Sequence, residues 1–172
     1  MSFKIGTIAG KAALIKNDKY YDLASISNNS ISSDTVEALS SSDELSRLYA
    51  DLLETNATGN LSDVKLDNPV PASKNSYAIG LNYRKHAEES NMEIPEVPMV
   101  FTKHTSCFVG PSDEVEMRSN YVDYEAELVV VIGKEGKDIS KDDAWDHVAG
   151  MCVGQDISDR PAQFASTPPM FN

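Results

Sequence analysis

The stretch Val122–Gly133, VDYEAELVVVIG, decides the fold, because it has the pattern of a β-strand that contains two glutamates. Successive side chains on a strand point to opposite faces, so Glu125 and Glu127 share a face with Val129 and Val131. An alternating pair of glutamates is more often the solvated side of an antiparallel strand. Here the alternate positions are apolar as well, so both faces are largely apolar and we expect a buried strand.

Two carboxylates on such a strand indicate a metal site. They would lie about 6 to 7 Å apart, and burying both in ionised form is costly unless a cation lies between them. Asp156, at the end of a later predicted strand, supplies a third oxygen donor. The few histidines form no HExxH pair, so three carboxylates favour Mg²⁺ or Mn²⁺ over Zn²⁺. The alternative is that Asp156 is an ordinary surface residue.

Composition limits the class of protein. The chain has 172 residues, 41% of them hydrophobic, which is enough for a core, and its net charge is -12. No basic run is present, so we expect no nucleic acid and no anionic membrane as partner. Cys107 and Cys152 form no CxxC motif, which is typical of reduced thiols. Without a signal-peptide pattern or a segment of transmembrane length, we expect a soluble cytoplasmic protein.

The order of the predicted elements indicates two domains. Residues 3–24 predict short strands with a turn at Asn17 and Asp18. Ser41 and Glu44 form a capping-box pattern before an amphipathic helix over about residues 43–54. The proline-containing segment KLDNPVPASKNS marks a boundary, which divides the chain into a small N-terminal domain, residues 1–73, and a second domain, residues 74–172.

In the second domain we predict mainly strands with short helices. A strand precedes a helical turn that carries His86 and Glu89, and a further strand follows. Later, Ser140 is placed to cap a short helix that Gly150 would end. His86 and Glu89 are three residues apart, so the carboxylate could hold the imidazole as a general base. A solvated charged turn is the alternative, and it is the commoner case for a histidine near a glutamate.

Four segments occur in an order that resembles the fumarylacetoacetate hydrolase family. They are IGLNYRKHAEES, PEVPMVFTKHTSCFVGP, VDYEAELVVVIGK and VAGMCVGQDISDRPAQF. The resemblance is close from about Tyr77 to Gln163. It implies a mostly β, α+β fold: a mixed β-sandwich roll, here incomplete, after a small N-terminal α/β portion. The resemblance also implies a homodimer.

The resemblance assigns roles to the candidate residues. Glu125, Glu127 and Asp156 match the ligands of one divalent cation, Mg²⁺ or Mn²⁺. His86 and Glu89 match a dyad that activates water in the members that cleave acylpyruvates. The matches to substrate-binding positions are Lys103, Arg160 and Gln163.

The activity implied is cleavage of a carbon–carbon bond in a small 2-oxo or β-diketo acid. A divalent cation bound by the 2-oxo and carboxylate groups would offset the repulsion between an anion and an acidic protein, and would stabilise the enolate. Hydrolysis of an acylpyruvate is the leading interpretation. Oxaloacetate decarboxylation and isomerisation of an unsaturated dioate are alternatives within the family, and a catalytically silent metal-binding or assembly module is the alternative outside enzymes.

Family members of this type continue past the DRPAQF segment, whereas this chain stops at STPPMFN. From this comparison we expect residues 1–172 alone to lack the final strands of the roll. An uncovered sheet would favour association or aggregation, so we expect poor solubility, binding of apolar dye and negligible hydrolase activity.

Overall fold

The structure, a computed structural model, describes residues 2–71 and 73–166. It is mostly β with short helices, which confirms the predicted fold class. The strands are β1 (Ile5–Ile8), β2 (Lys11–Lys16), β3 (Lys19–Asp22), β4 (Gly59–Asn60), β5 (Tyr77–Gly80), β6 (Met99–Thr102), β7 (Val122–Asp123), β8 (Ala126–Ile132), β9 (Val148–Gln155) and β10 (Ser158–Asp159). The α-helices are α1 (Leu23–Ile26), α2 (Thr35–Ala38), α3 (Ser42–Asp51), α4 (Arg84–Glu89) and α5 (Arg160–Gln163). Short 3₁₀ helices cover Leu39–Ser41, Glu54–Asn56, Leu61–Asp63, Thr105–Cys107 and Ala144–His147.

The chain forms two compact units. The first contains Met1–Ala72, Val109–Glu116 and Tyr124–Ile157, and the second contains Ser73–Phe108, Met117–Asp123 and Ser158–Asn172. One limit falls at Ala72, beside the predicted boundary, but the chain passes between the units several times. The sequential division into residues 1–73 and 74–172 stays a prediction.

The first unit is built on a four-stranded antiparallel sheet in the order β1-β2-β3-β4. The predicted turn at Asn17 and Asp18 is confirmed, because both residues have positive φ (51° and 59°) and join β2 to β3. Positive φ at both central residues is the geometry that matches the twist of a hairpin. The core under this sheet is fully buried and includes Leu14, Tyr21 and Leu45.

Two predicted helix ends are wrong, the capping box of Ser41 with Glu44 and the helix end at Gly150. Helix α3 covers Ser42–Asp51, and the Ser41 side chain makes no capping hydrogen bond; the carboxylate of Glu44 instead accepts from Ser30 Oγ at 2.9 Å. Ser140 does cap the turn that leads into the 3₁₀ helix Ala144–His147, because its Oγ accepts from the backbone N–H of Asp143 at 3.2 Å and donates to Asp143 Oδ2 at 2.7 Å. Gly150 lies inside β9 and ends no helix. At the start of α3 the Ser30 hydroxyl offers a competing partner to the Glu44 carboxylate.

The stretch Val122–Gly133 contains β8, which pairs with β9 in an antiparallel hairpin. The register pairs Leu128 with Val153 and Val130 with Met151, and it shifts between Val131 and Ile132. Gly133 follows β8, and a Cβ there would lie 2.5 Å from Ala149 Cβ, so the close approach requires glycine.

One face of this hairpin is apolar and exposed. The burial of both faces, expected from the strand pattern, is therefore wrong, whereas the uncovered sheet expected of residues 1–172 is present. Leu128, Ile132, Met151 and Val153 are 56%, 63%, 49% and 81% exposed, and Val130 on the same face is exposed as well. The alternation of the sequence places these side chains correctly on one face, but it contains no information about what covers that face. An apolar patch of this kind marks a surface that is prone to association.

We expect this exposed face to bind an apolar fluorescent dye. Replacing Leu128 and Val153 together by threonine, which is also favoured in strands, should reduce dye fluorescence because it removes apolar surface from the centre of the patch. The matched control is Leu53→Thr, at a 65% exposed leucine remote from β8 in sequence. Equal dye binding by the double variant and the wild-type chain would show that the dye binds elsewhere.

In the second unit, β5 pairs antiparallel with β6, and β7 pairs antiparallel with β10. Cys107 and Cys152 are free thiols, as predicted. No helix in the described part of the chain combines the length and apolar character needed to cross a membrane.

Candidate metal and substrate site

The three carboxylates predicted as metal ligands lie on one face of the β8–β9 hairpin. The backbone N–H of Asp156 donates to the carbonyl of Glu125 at 2.9 Å, which places these residues opposite each other one position beyond the Ala126–Gln155 pair. Directly opposite side chains in an antiparallel pair point to the same face, with Cβ atoms roughly 4.5 to 5.5 Å apart. Glu127 lies two residues along the strand and therefore shares that face.

Three further residues share this face of the hairpin with the carboxylates: Val129, Cys152 and Gly154. Cys152 lies opposite Val129 on the same face, and Gly154 lies opposite Glu127. A Cβ at Gly154 would come 2.8 Å from Val129 Cγ2, so the valine packs over a position that has room only for glycine. Burial raises the pKa of the Cys152 thiol. Hard divalent cations prefer oxygen to sulfur, so the donors that fit them on this face are the carboxylate oxygens.

This donor set fits a hard divalent cation. Glu125, Glu127 and Asp156 are all half-buried, and all three offer oxygen, the ligand that Mg²⁺ and Mn²⁺ prefer. Among residues 2–71 and 73–166, no three histidine, cysteine, aspartate or glutamate side chains are gathered closely enough to hold an ion. The backbone register supplies the shared face, and the side chains must still rotate toward one another to bind a single cation.

The predicted dyad lies on α4 in the second unit. His86 and Glu89 are both exposed and both fall within Arg84–Glu89. In the part of the chain that the structure describes, no hydrogen bond or ion pair connects the two side chains to each other. The helical spacing predicted from the sequence is present, but the contact that would raise the basicity of the imidazole is not formed here.

Lys103 follows β6, and its backbone N–H donates to the carbonyl of Ser76 at 3.0 Å. Its ammonium lies 5.4 Å from the centre of the Phe101 ring, which is within the range of a cation–π contact. The Phe101 ring, two positions earlier in the chain, is thus one contact of the Lys103 side chain.

The structure brings Arg160 and Gln163 together. Arg160 Nη1 donates to Gln163 Oε1 at 2.8 Å across one turn of α5. The guanidinium also contacts Asp123 on β7, a residue that was not predicted from the sequence to belong to the site. Because Asp123 and Arg160 are 37 positions apart, only the pairing of β7 with β10 reveals the contact. In the sequence Asp123 stands just before the two glutamates, and this position alone does not indicate a contact with Arg160.

The fold agrees with a comparison to known families. The family model described as fumarylacetoacetate (FAA) hydrolase C-terminal matches residues 75–172. The match covers more than half of the chain and includes all the candidate residues above. The chain belongs to the fumarylacetoacetate hydrolase family.

Curated relatives give a more specific comparison. Oxaloacetate tautomerase YisK of Bacillus subtilis is 50% identical over 109 residues, which cover 60% of this chain and 36% of that protein. The fumarylacetoacetate hydrolase domain-containing protein 2 homolog of Dictyostelium discoideum is 45% identical over 105 residues, which cover 60% of this chain and 34% of that protein. The matched part thus spans about a third of the length of these relatives.

Solved structures share the fold over most of this chain. A Mycobacterium smegmatis structure, provisionally designated an HpcE protein, is 34% identical with a TM-score of 0.84, and the match covers 97% of this chain and 59% of that one. The maleylpyruvate hydrolase of Sphingobium sp. SYK-6, solved with manganese(II) and pyruvate, is 22% identical with a TM-score of 0.70, covering 89% and 58%. At that identity the likeness is one of fold alone.

Proposed function

We propose that this chain is part of a divalent-metal-dependent enzyme that acts on a small 2-oxo acid with a second carboxylate, and that its reaction is keto–enol tautomerisation of oxaloacetate. The observation that carries the proposal is the shared face of Glu125, Glu127 and Asp156 on the β8–β9 hairpin. The relatives named as oxaloacetate tautomerases, at 50% identity in Bacillus subtilis and 44% in human, support the choice of reaction.

Glu125, Glu127 and Asp156 would hold Mg²⁺ or Mn²⁺. When bound, such a cation supplies positive charge for the oxygens of an anionic 2-oxo acid, which a protein of net charge -12 would otherwise repel. The protein's own contribution is to bring three carboxylates to one face.

Tautomerisation makes small chemical demands. One proton leaves the enol oxygen and one proton is added to the adjacent carbon, so no water is consumed and no carbon–carbon bond is broken. The substrate must be held by its carboxylates while a proton donor and acceptor are in reach. Arg160, Gln163 and Lys103 are proposed to bind those carboxylates, since guanidinium and ammonium groups complement them.

Hydrolysis of an acylpyruvate is the second candidate, favoured by His86 and Glu89 lying three residues apart on α4. In that reaction the imidazole would take a proton from water. We also propose, as the family resemblance implies, that the protein acts as a homodimer.

A chimaera tests the proposed activity. The segment of Bacillus subtilis YisK that aligns with this chain is replaced by the matching residues of this chain, and conversion of enol-oxaloacetate is followed by its ultraviolet absorbance with Mn²⁺ present. We expect the chimaera to catalyse metal-dependent tautomerisation, and we expect Glu127→Gln to abolish it. The control Glu135→Gln, at an exposed glutamate of the same hairpin, should retain the activity. A folded chimaera that binds Mn²⁺ without accelerating tautomerisation or hydrolysis would instead support the silent metal-binding module.

A further inference from the structure

The Arg160 guanidinium is held between two side chains. Its Nε and Nη2 atoms lie 3.2 Å and 2.8 Å from Asp123 Oδ2, and its Nη1 atom lies 2.8 Å from Gln163 Oε1. A guanidinium is planar and its N–H groups point in fixed directions, so rotation about the Cδ–Nε bond would break contacts on both sides. The side chain therefore has one preferred orientation.

The backbone supports the same arrangement. β7 and β10 pair antiparallel, with Asp123 opposite Ser158, and the N–H of Arg160 donates to the carbonyl of Tyr121 at 3.2 Å. Asp159 caps α5 separately, since its side chain accepts from the N–H of Ala162 at 3.3 Å. The start of α5 and the guanidinium are thus anchored by two different aspartates, one for the backbone and one for the side chain.

The ion pair between Asp123 and Arg160 weakens the attraction of Arg160 for anions, and this loss indicates what the pair contributes. Asp123 offsets part of the positive charge of Arg160, which by itself weakens attraction for an anion in a protein that is already acidic. As a surface ion pair it contributes little to stability, because the side chains of Arg160 and Asp123 are 28% and 51% exposed. What the pair provides is orientation of a guanidinium that solvent reaches, and a fixed planar donor is what recognition of a carboxylate requires.

We propose that Asp123 is a positioning residue that fixes the Arg160 guanidinium, so that Arg160 beside Gln163 is preorganised to bind a carboxylate group of the substrate. This inference rests on the proposed function for the identity of the ligand. The contacts argued for the positioning join residues of the second unit. Asp123 acts through Arg160 and needs no contact with the substrate.

The test is nitrogen-15 NMR of the arginine Nε–H groups in the 172-residue chain, with Arg47, Arg84 and Arg118 as internal references. We expect a restrained Arg160 signal with slow proton exchange in the wild-type chain. Asp123→Ala should move that signal toward that of a freely exchanging arginine, and Asp123→Asn, which keeps an acceptor oxygen, should restore part of the restraint. The matched control is Asp159→Asn, which removes an adjacent charge but preserves a good helix cap, and it should leave the signal unchanged.

Ligand binding is then measured on the same signals with oxalate and Mg²⁺. We expect oxalate to shift the Arg160 signal, with affinity between about tenfold and 100-fold weaker in Asp123→Ala and within about twofold of wild type in Asp159→Asn. An Arg160 signal that is insensitive to both substitutions at Asp123 overturns the positioning role, and Asp123→Asn decides this if the alanine variant fails to fold. The Arg160 signal could instead respond to substitution of Asp123 but not to oxalate in any variant. That result would overturn the carboxylate site and the proposed function, and it would leave the positioning contact in place.

Discussion

Replacing Glu127 by glutamine should reduce the affinity of the protein for Mn²⁺ strongly, with little change in stability. The substitution keeps the size of the side chain but removes a unit of negative charge and a carboxylate ligand. Loss of a partner outside the ligand shell already costs roughly 10-fold to 100-fold in metal affinity, and we expect a direct ligand to cost at least as much. Calorimetric titration with Mn²⁺ measures the effect, and circular dichroism checks the fold.

Glu135→Gln is the matched control for this prediction. It makes the same chemical change at an exposed residue in the segment after β8, away from the face that carries Glu125 and Asp156. Its Mn²⁺ affinity should equal that of the wild-type chain. If Glu127→Gln binds Mn²⁺ as tightly as Glu135→Gln does, Glu127 is no ligand and the assignment of the site fails.

Replacing His86 by alanine should lower the rate of acylpyruvate hydrolysis by about 10² to 10⁴, the usual contribution of a general base. The loss should be much smaller for decarboxylation or tautomerisation of oxaloacetate, because neither reaction requires activation of water. Both rates are measured in the YisK chimaera described above. The contrast between reactions is more informative than either rate alone.

His104→Ala is the control for His86, since it removes another exposed histidine from the same compact unit. It should leave both rates nearly unchanged. Equal losses in hydrolysis and tautomerisation by His86→Ala would indicate that His86 positions the substrate or a closing segment instead of activating water.

The predictions from sequence were most accurate where a local pattern determines geometry. Alternation along Val122–Gly133 placed Glu125 and Glu127 on one face. Asn17 and Asp18 indicated a hairpin turn, and both residues have the positive φ that such a turn requires. These features depend on neighbouring residues, so they can be derived without knowledge of the rest of the fold.

The predictions that were wrong depend on partners distant in sequence. Glu44 was expected to complete a capping box, but Ser30 binds its carboxylate in the structure. Burial of both faces of β8 was inferred from their apolar character, although burial depends on what packs against them. The pairing of Asp123 with Arg160 could not be predicted, because it requires the register of β7 with β10.

Anomalous X-ray diffraction from crystals grown with Mn²⁺ tests the central claim most directly, because it locates the cation instead of inferring it from affinity. We predict one strong manganese peak on the β8–β9 hairpin, within ligand distance of a carboxylate oxygen from each of Glu125, Glu127 and Asp156. Manganese bound only elsewhere on the protein, or no ordered manganese at a concentration that saturates the calorimetric titration, would contradict it.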